Sequence, residues 1–195
     1  MLKRYVLTVL LALSLTGAAS AAQLGEDGLH KEDWFSLTFR DVREDIDAAR
    51  EEGKRLAIIF EQRGCIYCAK MHEQLLSDPE VRDFIKANYK IVQYNMFGDE
   101  EVTDLDGETL TEKKAARKWG VVFTPTILFL PEQVDGDTTV AQAAVATMPG
   151  AFGKWTFLNM FRWVRDKGYA GDEHFQKYHA RIIQELRAAG RIDAE

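Results

Sequence analysis

Cys65 and Cys68 are the only cysteines in the chain, and two residues separate them. A structural disulfide stabilises mainly by closing a sizeable loop in the unfolded chain, and this pair would close almost none. Redox chemistry therefore explains the pair better than stability does. Directly before it runs Leu56-Ala57-Ile58-Ile59-Phe60, a continuous apolar stretch with the length of a strand buried on both faces. From Ile66 the pattern turns helical, with Met71 and Leu75 four apart on one face. A C-x-x-C pair between strand and helix is the setting of a redox dithiol. At a helix start the unpaired N–H groups and the positive dipole end favour an anion, here the Cys65 thiolate. Cys65 would attack a partner's disulfide, and Cys68, one turn on and better shielded, would resolve the mixed disulfide.

Metal binding is the rival chemistry. Cys68 and His72 are four apart on the helix and can share a face. A closed zinc site needs four ligands, and there is no second cysteine pair, so no metal is expected. His72 then reads as a solvated helix residue. The second constellation is Thr124-Pro125-Thr126, ahead of an apolar strand. A proline inside a central strand would remove a ladder donor. At the entrance it either begins the strand or occupies a turn as a cis peptide.

These residues need a frame. Asp41 to Glu52 reads as an amphipathic helix closed by Gly53. The helix after the dithiol is punctuated by Ser77-Asp78-Pro79-Glu80, where Asp78 caps and Pro79 opens a new turn. Lys90 to Asn95 is a second strand. The acidic stretch Gly98 to Glu108 contains the turn signal Asp106-Gly107 and lacks the full spacing of a calcium-binding loop. Thr111 caps a helix running to Trp119, and Gly120 ends it. Thr126 to Leu130 is the third strand, and a fourth is expected around Thr138 to Thr147. Lys154 to Lys167 forms a helix stopped by Gly168, and Asp172 to Ala189 a last, more polar one. Trp119, Trp155, Phe157 and Trp163 are expected in the core, while His174 and His179 default to the surface. Strands separated by helices imply parallel pairing, and the closing pair an antiparallel edge. The expectation is an α/β fold, a mixed four-stranded sheet flanked by helices with an extra C-terminal helix.

The first residues address the compartment. Lys3 and Arg4 precede an apolar run, Tyr5 to Leu15, and Ala19-Ser20-Ala21 fits a signal-peptidase site, with Ala22 a close alternative. The run falls well short of the ~20 residues of a membrane-spanning helix, so an uncut anchor is the weaker reading. Residues 1–21 are read as a leader, 22–40 as an arm whose first ten residues are loose, 41–167 as the domain and 168–195 as a helical extension. The chain has 195 residues and a formal charge of −6; the leader holds two cations and no acid, so the processed form is more negative still. That balance argues against a general binder of nucleic acid or anionic membranes. With 46% hydrophobic and 29% charged residues, disorder is not expected.

Trp119-Gly120-Val121-Val122-Phe123-Thr124-Pro125-Thr126-Ile127-Leu128-Phe129 resembles the cis-proline segment of thioredoxins, and Leu56 to Lys70 resembles their strand and active-site helix. More narrowly, Cys65-Ile66-Tyr67-Cys68 with Leu76-Ser77-Asp78-Pro79-Glu80-Val81 is similar to exported thioredoxin-like proteins of the SoxW type, associated with bacterial sulfur oxidation. Val102 to Gly107 and Pro149-Gly150 fit that pattern. The resemblance implies a thioredoxin-like fold with Cys65 as nucleophile and Cys68 as resolving residue. It also implies a cis Pro125 against the dithiol, a Thr124 backbone that pairs with substrate, and an acidic stretch folded as a short inserted ribbon. Ile66-Tyr67 replaces the Gly-Pro of thioredoxin and would tune potential and partner fit. Ile59 stands where thioredoxin has a buried acid. Glu61, two residues on, either supports proton transfer at Cys68 or is a solvated strand-end charge, and the solvated reading is favoured.

The resulting expectation is a periplasmic thiol–disulfide oxidoreductase without a bound cofactor, a reductant of protein or sulfur-carrier disulfides recharged by a membrane electron-relay protein. An oxidase or isomerase is the alternative within the class. A non-catalytic module holding copper or a client is the alternative outside it.

Overall fold

Strand β3 (Arg55–Glu61) is buried along its whole length because both of its faces carry apolar side chains. The computed structural model describes residues 22–192, and the leader reading of residues 1–21 lies outside them. On one side β3 pairs in parallel with β4 (Tyr89–Asn95), and on the other it runs antiparallel to β7 (Thr126–Phe129). β8 (Ala146–Pro149) completes a mixed four-stranded sheet in the order β4-β3-β7-β8.

Alternation along β3 divides the core in two. Leu56, Ile58 and Phe60 meet Val92, Tyr94 and Trp119 under helices α1 (Val42–Glu51) and α4 (Glu112–Lys118). Ala57 and Ile59 face the other way, onto Met71, Ile85, Phe157 and Phe161 of the helices opposite. Those are α2 (Ile66–Lys70), which continues as a π-helical turn over Met71–Leu76, α3 (Pro79–Asn88) and α6 (Lys154–Arg165). Asp78 caps α3 by accepting from the backbone of Glu80 and Val81, with Pro79 in the first turn. Trp119 and Phe157 are buried as expected, while Trp155 and Trp163 are half-buried beside the second core.

The acidic stretch folds as a ribbon, β5 (Glu101–Thr103) against β6 (Thr109–Thr111). Asp104 inside it is buried and accepts from Trp119 Nε1 and the backbone of Leu105 and Val140. Among the described residues no helix is long and apolar enough to cross a membrane.

Four expectations need correction. The region read as a strand from Thr138 contains the short helix α5 (Val140–Ala143), and β8 starts only at Ala146. Thr139 and Gln142 form a capping box that turns the backbone away from the ladder. The arm's first ten residues are not loose. β1 (Gln23–Leu24) pairs with β2 (His30–Lys31), and Ser36 N donates to Ile91 O on the outer edge of β4. His179, on α7 (Phe175–Ala188), is only partly exposed and hydrogen-bonds the buried Asn159 of α6. Finally, α6 ends at Arg165, before the expected stop at Gly168, and the left-handed residue that follows it is Lys167. Gly168 is needed for another reason: a Cβ there would overlap the Trp163 indole. That indole donates to Glu173 O and packs on Phe175, tying α7 to the domain. Gly168→Ala is expected to cost roughly 1–3 kcal/mol, the usual range for overpacking. Thermal melting checks it, and an unchanged melting temperature would mean that the indole moves aside freely.

Candidate redox site

Cys65 stands at the N-cap of α2 with extended backbone (φ −74°, ψ 103°), where its sulfur accepts from the Cys68 N–H at 3.0 Å. The two cysteines are joined in a disulfide, their Cα atoms 5.2 Å apart. Their exposure differs in the sense that exchange chemistry requires. Cys65 retains 9% of its surface and Cys68 none, because the helix carries Cys68 inward over β3. Between them Ile66 and Tyr67 are 67% and 53% exposed, and Lys70 Nζ lies over the Tyr67 ring.

The loop before β7 closes the other side. The Thr124–Pro125 peptide is cis, Pro125 is buried, and Pro125 O accepts from Gly150 N at 2.7 Å. Thr124 Oγ1 donates to Cys65 Sγ at 3.3 Å. Val122 and Phe123, just upstream, are largely exposed. The residues singled out in the sequence, Cys65, Ile66, Tyr67, Cys68, Thr124 and Pro125, thus converge on one site, with Cys68 and Pro125 beneath its surface. A groove of about 610 Å³ continues from Cys65 and Ile66 past Ala69 and Arg63 to Leu24 and His30 of the N-terminal ribbon.

Glu61 and His72 overturn the solvated readings made of them. Glu61 is 0% exposed and His72 1%. His72 Nε2 lies 2.9 Å from Glu61 Oε1, and Nδ1 lies 2.8 Å from Glu32 Oε1. Gln93 Nε2 donates to the same Glu61 oxygen and to His30 O. The physical reason is pairing: an imidazole between two carboxylates lets charges enter a dry interior that would reject them singly. Burial pulls the His72 pKa down, but its hydrogen bonds to Glu32 and Glu61 outweigh that and raise it to about 9. His72 is therefore an imidazolium at neutral pH, and both its ring nitrogens are donors. Glu32 and Gln93 were not singled out in the sequence. The one available signal was the placement of Glu61 four residues before Cys65 and His72 four residues after Cys68.

The thioredoxin-like domain family model matches residues 42–151. The chain belongs to that family. Among solved structures, a thioredoxin-fold protein from Helicobacter pylori superposes with a TM-score of 0.55 at 17% identity, covering 80% of this chain and 98% of its own. A thioredoxin from Thermus thermophilus superposes with a TM-score of 0.51 at 25% identity, covering 69% of this chain and 91% of its own. No curated protein matches the chain. With its thioredoxin-like fold and C-x-x-C disulfide, the chain is a thioredoxin-like thiol–disulfide oxidoreductase. Glu32 lies outside the matched span, so the carboxylate on the far side of His72 belongs to this chain's own N-terminal segment.

Proposed function

We propose that the protein is an exported reductant that works in the periplasm on disulfides of protein or sulfur-carrier clients. The observation that carries this reading is the unequal burial of two bonded cysteines at a helix start, one reaching the surface and one enclosed. In the reduced protein the Cys65 thiolate, favoured by the Cys68 N–H and the Thr124 hydroxyl, attacks a client disulfide and releases one client thiolate. Cys68 then attacks Cys65 Sγ, forms the internal disulfide and releases the second client sulfur. Two electrons pass to the client, so the dithiol itself is the carrier and no bound cofactor is required. Ile66, Tyr67, Val122 and Phe123 offer an apolar rim for the client chain, with the Thr124 backbone as its pairing edge.

The reducing direction and the export rest on the resemblance to SoxW-type proteins and on the leader pattern of residues 1–21. A periplasm kept oxidising would exhaust such a reductant, so a membrane protein relaying electrons must recharge it. Sulfur-oxidation carriers and apocytochromes awaiting haem are the client classes this chemistry fits. The test supplies reduced protein with a protein disulfide and a recharging dithiol, and follows client thiols. Turnover beyond one client per protein is expected. Thiol release no faster than with the recharging dithiol alone would instead indicate a module that binds copper or a client without catalysis.

A further inference from the structure

The N-terminal ribbon stands beside the reactive sulfur and comes from outside the family's span. β1 and β2 both precede residue 42, where the family match begins. Residues from the sheet hold the ribbon on one side. Gln93 Nε2 donates to His30 O at 2.7 Å, Lys31 Nζ donates to Gln93 Oε1 at 2.8 Å, and Leu29 is buried. At the other end Arg63, two residues before Cys65, donates to Glu26 O at 3.2 Å. The turn approaches so closely that Gly28 (φ +76°) is required, since a Cβ would lie 2.6 Å from Arg63 Nε. This fastened ribbon nevertheless leaves an apolar side chain in water. Leu24 and, on the α2 wall of the same groove, Ile66 are each 67% exposed. Gly64 and Ala69 leave the space beside them open, and its volume of about 610 Å³ is that of a site for a drug-sized ligand.

In the mixed disulfide the client's cysteine is bonded to Cys65 Sγ, so the residues beside that cysteine must lie around this sulfur. Thr124 closes one side of it, with its hydroxyl 3.3 Å away, and the groove opens from it along α2. A client chain paired with the Thr124 backbone therefore carries its other flank over the groove. We infer that the ribbon is a specificity wall, and that Leu24 and Ile66 clamp a bulky apolar side chain next to the client's reactive cysteine. The inference rests on the oxidoreductase reading and adds a client class to it: polypeptides with a large aliphatic or aromatic residue on that flank. Charge points the same way. Glu26 and Arg63 line the groove with opposite signs and give a small sulfur anion no net attraction. Apolar surface, by contrast, is stabilised by burial in proportion to its area. Because the ribbon is already fastened, little further ordering opposes that burial.

Symmetrical disulfides of short single-cysteine peptides test this, with leucine, serine or aspartate beside the cysteine on either flank and a dithiol recharging the protein. On one flank leucine should raise kcat/KM ~10-fold over serine, mainly through KM, the lower end for one apolar pocket contact. Leu24→Ser should bring that ratio close to one. The preference on the opposite flank, which meets the Val122–Phe123 rim, should remain. Leu24 is exposed, so the variant should melt like the wild type. An unchanged ratio in Leu24→Ser, or equal slowing of every peptide, overturns the inference and leaves the oxidoreductase reading intact. A wild type that prefers aspartate, or that reduces the small anion cysteine S-sulfonate better than any peptide, overturns it too. Failure to reduce any of these disulfides overturns both. Should Leu24→Ser not fold, the wild-type series decides: leucine favoured over serine on both flanks is expected, and no preference on one of them overturns the inference.

Discussion

Cys68→Ser is expected to turn the protein into a trap that stays covalently joined to its client. The variant keeps the exposed Cys65 and the donors that favour its thiolate, so the first exchange proceeds. It lacks the only other cysteine, so nothing inside the chain can release the client. Non-reducing electrophoresis and intact mass should show one client per protein, and catalytic turnover should drop to the uncatalysed background. Cys65→Ser should give the same loss of turnover with almost no adduct, because the remaining thiol is enclosed. The asymmetry between the variants is the informative part. Equal trapping by both would mean that burial does not distinguish the sulfurs, and retained turnover in either would place the exchange chemistry elsewhere.

Replacing His72 with leucine should produce the largest stability change. The substitution removes the one cation between Glu61 and Glu32 and leaves a fully buried carboxylate uncompensated. Breaking a buried ion pair by deleting one partner costs about 3–5 kcal/mol. In a chain of this size that lowers the melting temperature by on the order of 10 °C. The sign of the pH dependence follows from the raised pKa. The His72 contribution is complete below the ordinary histidine value of 6.5 and is lost as pH rises through about 9. Wild-type stability should therefore decline between these values, and the decline should be absent from His72→Leu. Asp45 works in a separate window: burial lifts its carboxyl from 3.8 to about 6, so its contribution is lost as pH rises across that lower range. A variant that melts like the wild type and keeps the alkaline decline would show that His72 is not a stabilising cation between the two carboxylates.

What could be read in the sequence was written locally. The apolar run of β3, the cysteines at its end, the Asp78–Pro79 helix start and the Asp106–Gly107 turn each depend on neighbours a few residues away. The dithiol and the Thr124–Pro125 segment were legible for the same reason, since short motifs mark both. Thr139 and Gln142 were also a local signal, a capping box inside a stretch whose β-branched residues suggested a strand. There the hydrogen-bonding of the cap prevailed over side-chain propensity. Glu61 and His72 are different in kind. Whether a carboxylate at a strand end is solvated depends on what covers it, and the cover comes from Glu32, 40 residues from His72 in the chain. The N-terminal segment was misjudged because its attachment comes from distant residues, with Gln93 donating to His30 O and Arg63 to Glu26 O, and leaves little local pattern to read.

Equilibrium titration of the Cys65–Cys68 pair against a dithiol redox buffer measures the direction of electron flow most directly. A reductant fed by a membrane relay should titrate near the value of thioredoxin, about −270 mV. A potential near −120 mV, that of a strongly oxidising dithiol, would contradict the proposed reductant and make the protein a donor of disulfides.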